Sequence, residues 1–216
     1  MEAEGVLDNI DYEMYPWGNA YYNVSQCAST AFDKQKTFCW AELCGNKSNP
    51  PPGCFSGTVL CQHGQDECDA DSYESCAKIL YPKAQFTKFI TCFEGENEAR
   101  LNMASHCASV ANMSYLKLQS CFYGDDRLKF DAEMAKATAA LGKAKLGTPW
   151  VLLDGVRVQP DGMLKQVCAA LVAEGTTPLP PGCQAQAAVE DVAPNVVERK
   201  VEPQSDSPAP RPRKLC

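Results

Sequence analysis

Thirteen cysteines in 216 residues, spread from Cys27 to Cys216 without a single C-x-x-C pair, constrain this chain more than any other feature. Such density implies an oxidising compartment and a disulfide framework, not a reduced cytosolic protein. Three N-glycosylation acceptors agree with that reading: Asn23-Val24-Ser25, Asn46-Lys47-Ser48 and Asn112-Met113-Ser114. The N-terminal residues pull the other way. Met1-Glu2-Ala3-Glu4-Gly5 is acidic, and no basic-then-apolar signal peptide follows. A net charge of −7 and a pI near 4.9 exclude a nucleic-acid binder, which needs a basic face. No apolar run reaches the roughly 18 residues of a membrane span, so no membrane partner is expected. The length suits one domain with a real core plus an insertion or a tail.

Along the chain, Val6 to Tyr15 alternates as a strand and Pro16-Trp17-Gly18 stops it. Residues 21–60 carry Cys27, Cys39, Cys44 and Cys54 around the loop Asn49-Pro50-Pro51-Pro52-Gly53. Four cysteines allow two internal disulfides, so this stretch reads as a Cys-rich insertion stapled to itself. Zinc is the sharper alternative, but the spacings C-x4-C and C-x9-C lack paired C-x2-C knuckles.

Residues 72–142 then turn helical, with spans predicted at Ser72–Tyr81, Lys83–Phe93, Asn97–Ala111, Ser114–Phe122 and Asp125–Leu141. Cys76, Cys92, Cys107 and Cys121 fall one to a helix, which suggests cross-links between neighbours. In 148–173 the pattern returns to strands: Thr148–Leu153, an Asp154-Gly155 hairpin turn, Val156–Val158, and a last helix Met163–Ala173 carrying Cys168. Cys183 closes the packed region 1–183. Residues 184–216, rich in Pro, Ala and Glu, read as a disordered tail, with Cys216 a free thiol or a tether.

The densest chemistry lies in Cys61-Gln62-His63-Gly64-Gln65-Asp66-Glu67-Cys68-Asp69-Ala70-Asp71-Ser72-Tyr73-Glu74-Ser75-Cys76. Gly64 suits a tight turn, and Asp69, Asp71 and Ser72 read as the cap of a helix carrying Cys76. Cys61 with His63, or Cys107 beside His106, can be written as a nucleophile and base, but residues so close in sequence rarely aim at each other. A zinc set of Cys61, His63 and Cys68 is better spaced, yet disulfides are the more ordinary use of these thiols, so no metal is expected. His63 reads as a hydrogen-bonded turn residue.

This stretch resembles the signature of the gamma-interferon-inducible lysosomal thiol reductase family, C-Q-H-G-x2-E-C-x2-N-x4-C. Cys61, Gln62, His63, Gly64, Glu67, Cys68 and Cys76 match, and Asp71 stands at the Asn position with little consequence expected. Tyr15-Pro16-Trp17-Gly18-Asn19-Ala20 resembles the family's Pro-x-Gly-Asn-Ala turn. Thr148-Pro149, before a strand, a hairpin and a closing helix, resembles the cis-proline dipeptide of thioredoxin-like folds. The resemblance runs from about Ile10 to Cys183. It implies an α/β thioredoxin-like fold with an inserted disulfide-linked helical region. It also implies a lysosomal or secreted glycoprotein that reduces protein disulfides without a cofactor, Thr148 and Pro149 contacting the extended substrate.

The family's C-x-x-C, which performs the exchange through a low-pKa thiolate and a resolving thiol, has no counterpart here, so no catalytic residue is assigned. In that fold the strand leading to C-x-x-C lies between the strands that are Ile10–Met14 and Trp150–Leu153 here. Its loss leaves a slot of unpaired backbone groups, each costing about 1–3 kcal/mol against a total stability of about 5–15 kcal/mol. The expectation is therefore an N-terminally incomplete reductase, lacking the first strand and the C-x-x-C helix and inactive as it stands. The alternative is a non-catalytic, disulfide-rich binding or scaffold protein. Disulfide connectivity, among Cys27, Cys39, Cys44, Cys54, Cys61, Cys68, Cys76, Cys92, Cys107, Cys121, Cys168 and Cys183, is left open, as is oligomeric state.

Overall fold

The computed structural model describes residues 5–30, 33–95, 100–145, 147–184 and 214–215. The strands are β1 (Asp11–Tyr12), β2 (Tyr21–Tyr22), β3 (Val59–Leu60), β4 (Val151–Leu153), β5 (Val156–Val158) and β6 (Lys214–Leu215). The helices are α1 (Asp33–Cys44), α2 (Gln65–Leu80), α3 (Lys83–Phe93), α4 (Ala104–Val110), α5 (Tyr115–Tyr123), α6 (Asp126–Ala139) and α7 (Met163–Ala173). The architecture is mixed α/β, and it divides into two compact units: Tyr15–Pro149, and Met1–Met14 with Trp150–Cys216.

The Tyr15–Pro149 unit is helical. Its centre is α2, which packs against α3, α5 and α6. The stripe Phe86, Phe89, Ile90 and Phe93 on α3 repeats every three or four residues and is buried with Tyr73, Ala77, Leu118 and Phe122. Fully burying such side chains contributes about 1.5–3 kcal/mol each. Disulfides tie the bundle across its helices: Cys76–Cys121 joins α2 to α5, and Cys92–Cys107 joins α3 to α4.

Residues 21–60 pair their own cysteines, Cys27 with Cys39 and Cys44 with Cys54. They pack against the rest of the unit. Trp17, Tyr22 and Trp40 share one buried cluster with Met134, Ala135 and Ala139 of α6, and β2 pairs antiparallel with β3.

The other unit holds a four-stranded sheet in the order β1-β6-β4-β5, with α7 supplying Val167, Cys168 and Leu171 to its core. The β4–β5 hairpin turns through Asp154 (φ 51°) and Gly155 (φ 83°), the two positive-φ positions a type I′ turn demands. Cys168–Cys183 fastens α7 to the segment after it.

Several expectations are corrected. The strand read over Val6–Tyr15 is only Asp11–Tyr12. Leu7–Asn9 forms a 3-10 turn instead, because the Asn9 side-chain amide donates to Gly5 O at 2.9 Å and its N–H to Val6 O at 3.1 Å. The helix expected from Ser72 begins at Gln65, with Gly64 (φ 96°) at its cap and no side-chain capping bond. Asp69, Asp71 and Ser72 are therefore interior residues, and Ser72 Oγ donates back to Cys68 O at 2.9 Å. The helix expected from Asn97 begins at Ala104, after a 3-10 turn at Arg100–Met103; residues 96–99 lie outside the described residues. Asp125 makes no capping bond to α6, whereas Ser114 Oγ does accept from Lys117 N–H on α5.

The slot between β1 and β4 is not empty. Lys214–Leu215, within the stretch read as a structureless tail, forms β6 there. Residues 185–213 and Cys216 lie outside the described residues.

Candidate functional site

The signature stretch folds as a turn closed onto the first turn of α2. Cys61 and Cys68 are joined across it. His63 N–H donates to Glu67 Oε2 at 2.7 Å, and His63 Nδ1 lies 3.4 Å from Glu67 Oε1. The His63 ring is otherwise largely in solvent. With both thiols in a disulfide, Cys61, His63 and Cys68 do not form a zinc set, and among the described residues no group of three His, Cys, Asp or Glu suits a metal ion.

Above this turn sits Pro16-Trp17-Gly18-Asn19-Ala20. Trp17 is buried, stacked on Tyr22 and tilted against Trp40, which anchors the turn. Gly18 adopts φ +49°, a conformation that L side chains rarely take. Asn19 is thereby presented to three partners. Its Nδ2 donates to Gln62 Oε1 at 3.0 Å and reaches Thr148 Oγ1 at 3.5 Å, while Lys145 Nζ donates to its Oδ1 at 2.9 Å. Thr37 Oγ1 donates to the Asn19 carbonyl at 3.0 Å. One side chain thus joins the signature, the Gly-Asn turn and the loop holding the cis Thr148–Pro149 peptide. Thr148 and Pro149 are themselves exposed.

Beside the network lies a partly buried charge cluster. Burial, with Glu67, Glu94 and Asp131 nearby, pushes the Asp71 carboxyl well above its ordinary value, while Lys145 opposes the shift. Burial likewise brings the Lys145 ammonium down to about 8, with Asp71 acting against it. Burial raises Asp131 too, countered by Ser72 Oγ donating at 2.8 Å and by the Arg127 guanidinium, whose Nε is 3.5 Å away. Arg127 also bridges to Asp69 at 2.9 Å and lies over the Phe122 ring.

Trp17, Tyr22, the Cys61–Cys68 pair, Asp71, Phe122, Arg127 and Asp131 line a cleft of about 430 Å³. Trp17 Nε1 and Asp71 Oδ2 are both out of solvent contact and have no hydrogen-bond partner among the described residues.

Of the residues singled out from sequence, Gln62 and Thr148 meet through Asn19, and Glu67 lies beside Asp71. Cys76 serves the α2–α5 link. Asn23, Asn46 and Asn112 are exposed. Sequence reasoning missed Lys145, Arg127 and Asp131, since a lone Lys after a helix, or Arg and Asp four apart on one, carries no distinguishing pattern. Asn19 was visible only as part of a turn motif.

Residues 43–111 match the family described as gamma interferon inducible lysosomal thiol reductase (GILT). The "Gamma-interferon-responsive lysosomal thiol protein" of Arabidopsis thaliana is 31% identical over 140 residues, covering 61% of this chain and 56% of that protein. The "Gamma-interferon-inducible lysosomal thiol reductase" of Carassius auratus is 33% identical over 101 residues, covering 45% of this chain and 39% of its own length. The chain is homologous to this family over part of its length, and it spans roughly half or less of these relatives.

Proposed function

We propose that this chain is a thiol-disulfide oxidoreductase of the GILT type, with a thioredoxin-like sheet, belonging to a lysosomal or secretory compartment and directed at protein disulfides. The observation that carries this reading is the Asn19 link between Gln62 of the signature and Thr148 of the cis-proline loop. In such a site the chain's own residues hold an extended substrate strand beside Thr148 and Pro149, and the partly exposed Lys145–Asn19–Gln62 network fixes that loop.

Exchange itself needs a thiolate to attack a substrate sulfur and a second thiol to resolve the mixed disulfide. The 216 residues contain no C-x-x-C, and twelve of the thirteen cysteines are paired in six disulfides. We therefore expect the chain as given to be inactive.

That full pairing also favours a second reading, a non-catalytic disulfide-rich binding or scaffold protein. Insulin-disulfide reduction separates the two. The 216-residue chain is expected to be silent under both. The same chain preceded by a strand and C-x-x-C segment from a GILT relative gains activity if its substrate loop is functional. Continued silence, with the fold intact by circular dichroism, overturns the reductase reading in favour of the scaffold.

A further inference from the structure

The order β1-β6-β4-β5 places two residues from near the end of the sequence between strands that come from its beginning and its middle. β6 runs parallel to β1, with Asp11 opposite Lys214 and Tyr12 opposite Leu215, and antiparallel to β4, with Leu153 opposite Leu215. Among the described residues β1 and β4 have no ladder with each other, so β6 alone joins them. On its other edge β4 pairs with β5 at Val151, Leu152 and Leu153, but toward β6 it is, among the described residues, in register only at Leu153. The ladder positions at Leu152 and Val151 are not used by Lys214–Leu215. The core beneath this sheet is apolar, built from Tyr12, Val167 and Leu171 with Val151 and Leu153 packed against it.

From these relationships we infer that the gap between β1 and β4 is a strand-acceptor site for an extended polypeptide running in the direction of β1. In this chain Lys214–Leu215 occupies it in cis as a displaceable strand. A strand inserted between two others gains main-chain hydrogen bonds along both edges, and alternate side-chain positions supply selectivity. The residues flanking the Leu215 position in register, Tyr12 and Leu153, belong to or pack on the apolar core, so the site selects an apolar residue there. Between Gln184 and Lys214 the sequence supplies 29 residues, enough to let the strand leave and return. Covalent attachment gives the occupant a high effective concentration, which a free peptide has to match. The inference uses the sheet order alone and stands whether or not the chain reduces disulfides.

Amide hydrogen exchange tests it, with α7 as the internal reference. A chain ending at Pro208 should exchange at Tyr12 and Leu153 at least tenfold faster than the full chain, with α7 unchanged. A synthetic peptide of residues 207–216 carrying Cys216→Ser should restore the protection in a saturable manner. Leu215→Pro in the full chain, which removes one main-chain donor, should reproduce the loss without shortening the chain. Unchanged protection at Tyr12 and Leu153 in both variants overturns the inference. Loss that spreads through α7 and is not reversed by the peptide overturns it equally, since the segment is then a fixed part of the core.

Discussion

Asn19 Nδ2 lies 3.0 Å from Gln62 Oε1, joining a turn near the start of the helical unit to a signature residue 43 positions away. The same side chain accepts from Lys145 Nζ, so three separated segments depend on one amide. Asn19→Ala should cost about 1 kcal/mol of stability, as expected for partly exposed hydrogen bonds, and should speed amide exchange at residues 147–148. Chemical denaturation and exchange measurements check both. Unaltered exchange there would mean that the loop is held by other contacts.

Asp71 stands where the family signature has Asn, and the structure gives that difference a physical consequence. Its folded-state carboxyl ionises well above the ordinary value, chiefly through burial, whereas the unfolded chain ionises near about 3.9. Between those values the folded state binds the extra proton, so stability falls as pH rises through the interval. Asp71→Asn removes that loss. Thermal melts should show little difference at about pH 3 and a more stable variant at about pH 7; equal shifts at both would refute the assignment.

Lys145, brought down to about 8 by burial, is a nucleophilic amine at pH values where ordinary lysines are protonated. At pH 7.5 roughly a quarter of it is neutral, against roughly 0.1% for an ordinary lysine. Competitive acylation read by peptide mass spectrometry should give Lys145 a midpoint near 8, and Asp71→Asn should lower that midpoint by removing a carboxylate that favours the charged amine. A midpoint above 10 would contradict the burial.

The disulfides differ in the chain length they close. Cys76–Cys121 spans 45 residues and Cys61–Cys68 spans 7. Loop-closure entropy assigns about 4 kcal/mol to the first and about 2 kcal/mol to the second. Double Cys→Ala variants should therefore rank in that order in denaturant midpoint. The reverse order would place the signature bridge among the principal supports of the fold.

Glycan occupancy should differ among the three acceptors. Asn46 Nδ2, the atom a glycan needs, donates to Ala140 O at 2.6 Å, and no such bond engages Asn23 or Asn112 among the described residues. Expression through a secretory pathway followed by glycopeptide mapping should find Asn23 and Asn112 modified more fully than Asn46. Equal occupancy would show that the Asn46 bond forms too late or too weakly to matter.

What was legible in the sequence is what local chemistry dictates. The stripe Phe86, Phe89, Ile90 and Phe93 marks α3, the turn Asp154-Gly155 with its apolar flanks marks the β4–β5 hairpin, and α7 runs over the predicted Met163–Ala173. The Cys61–Cys76 stretch carried the resemblance because its spacing is a property of the sequence itself. The start of α2 was misread for a local reason as well: Asp69, Asp71 and Ser72 have cap-forming side chains, but Ser72 instead bonds back along the helix and across to Asp131.

The rest was decided by contacts between distant segments. Nothing local to Lys145 or Asp71 announces their mutual influence, which exists because packing removes both from water. The thirteen cysteines imply bridges, but which thiols meet depends on which helices lie side by side. The sheet is the clearest case. Sequence reasoning located β1 and β4 and the gap between them, because a lost central strand leaves backbone groups unpaired. It did not foresee that Lys214–Leu215 would fill the gap, since two residues in a Pro-rich stretch have no strand signal of their own. Their conformation comes from the hydrogen-bonding edges of β1 and β4, and those edges face one another only once the tertiary structure has formed.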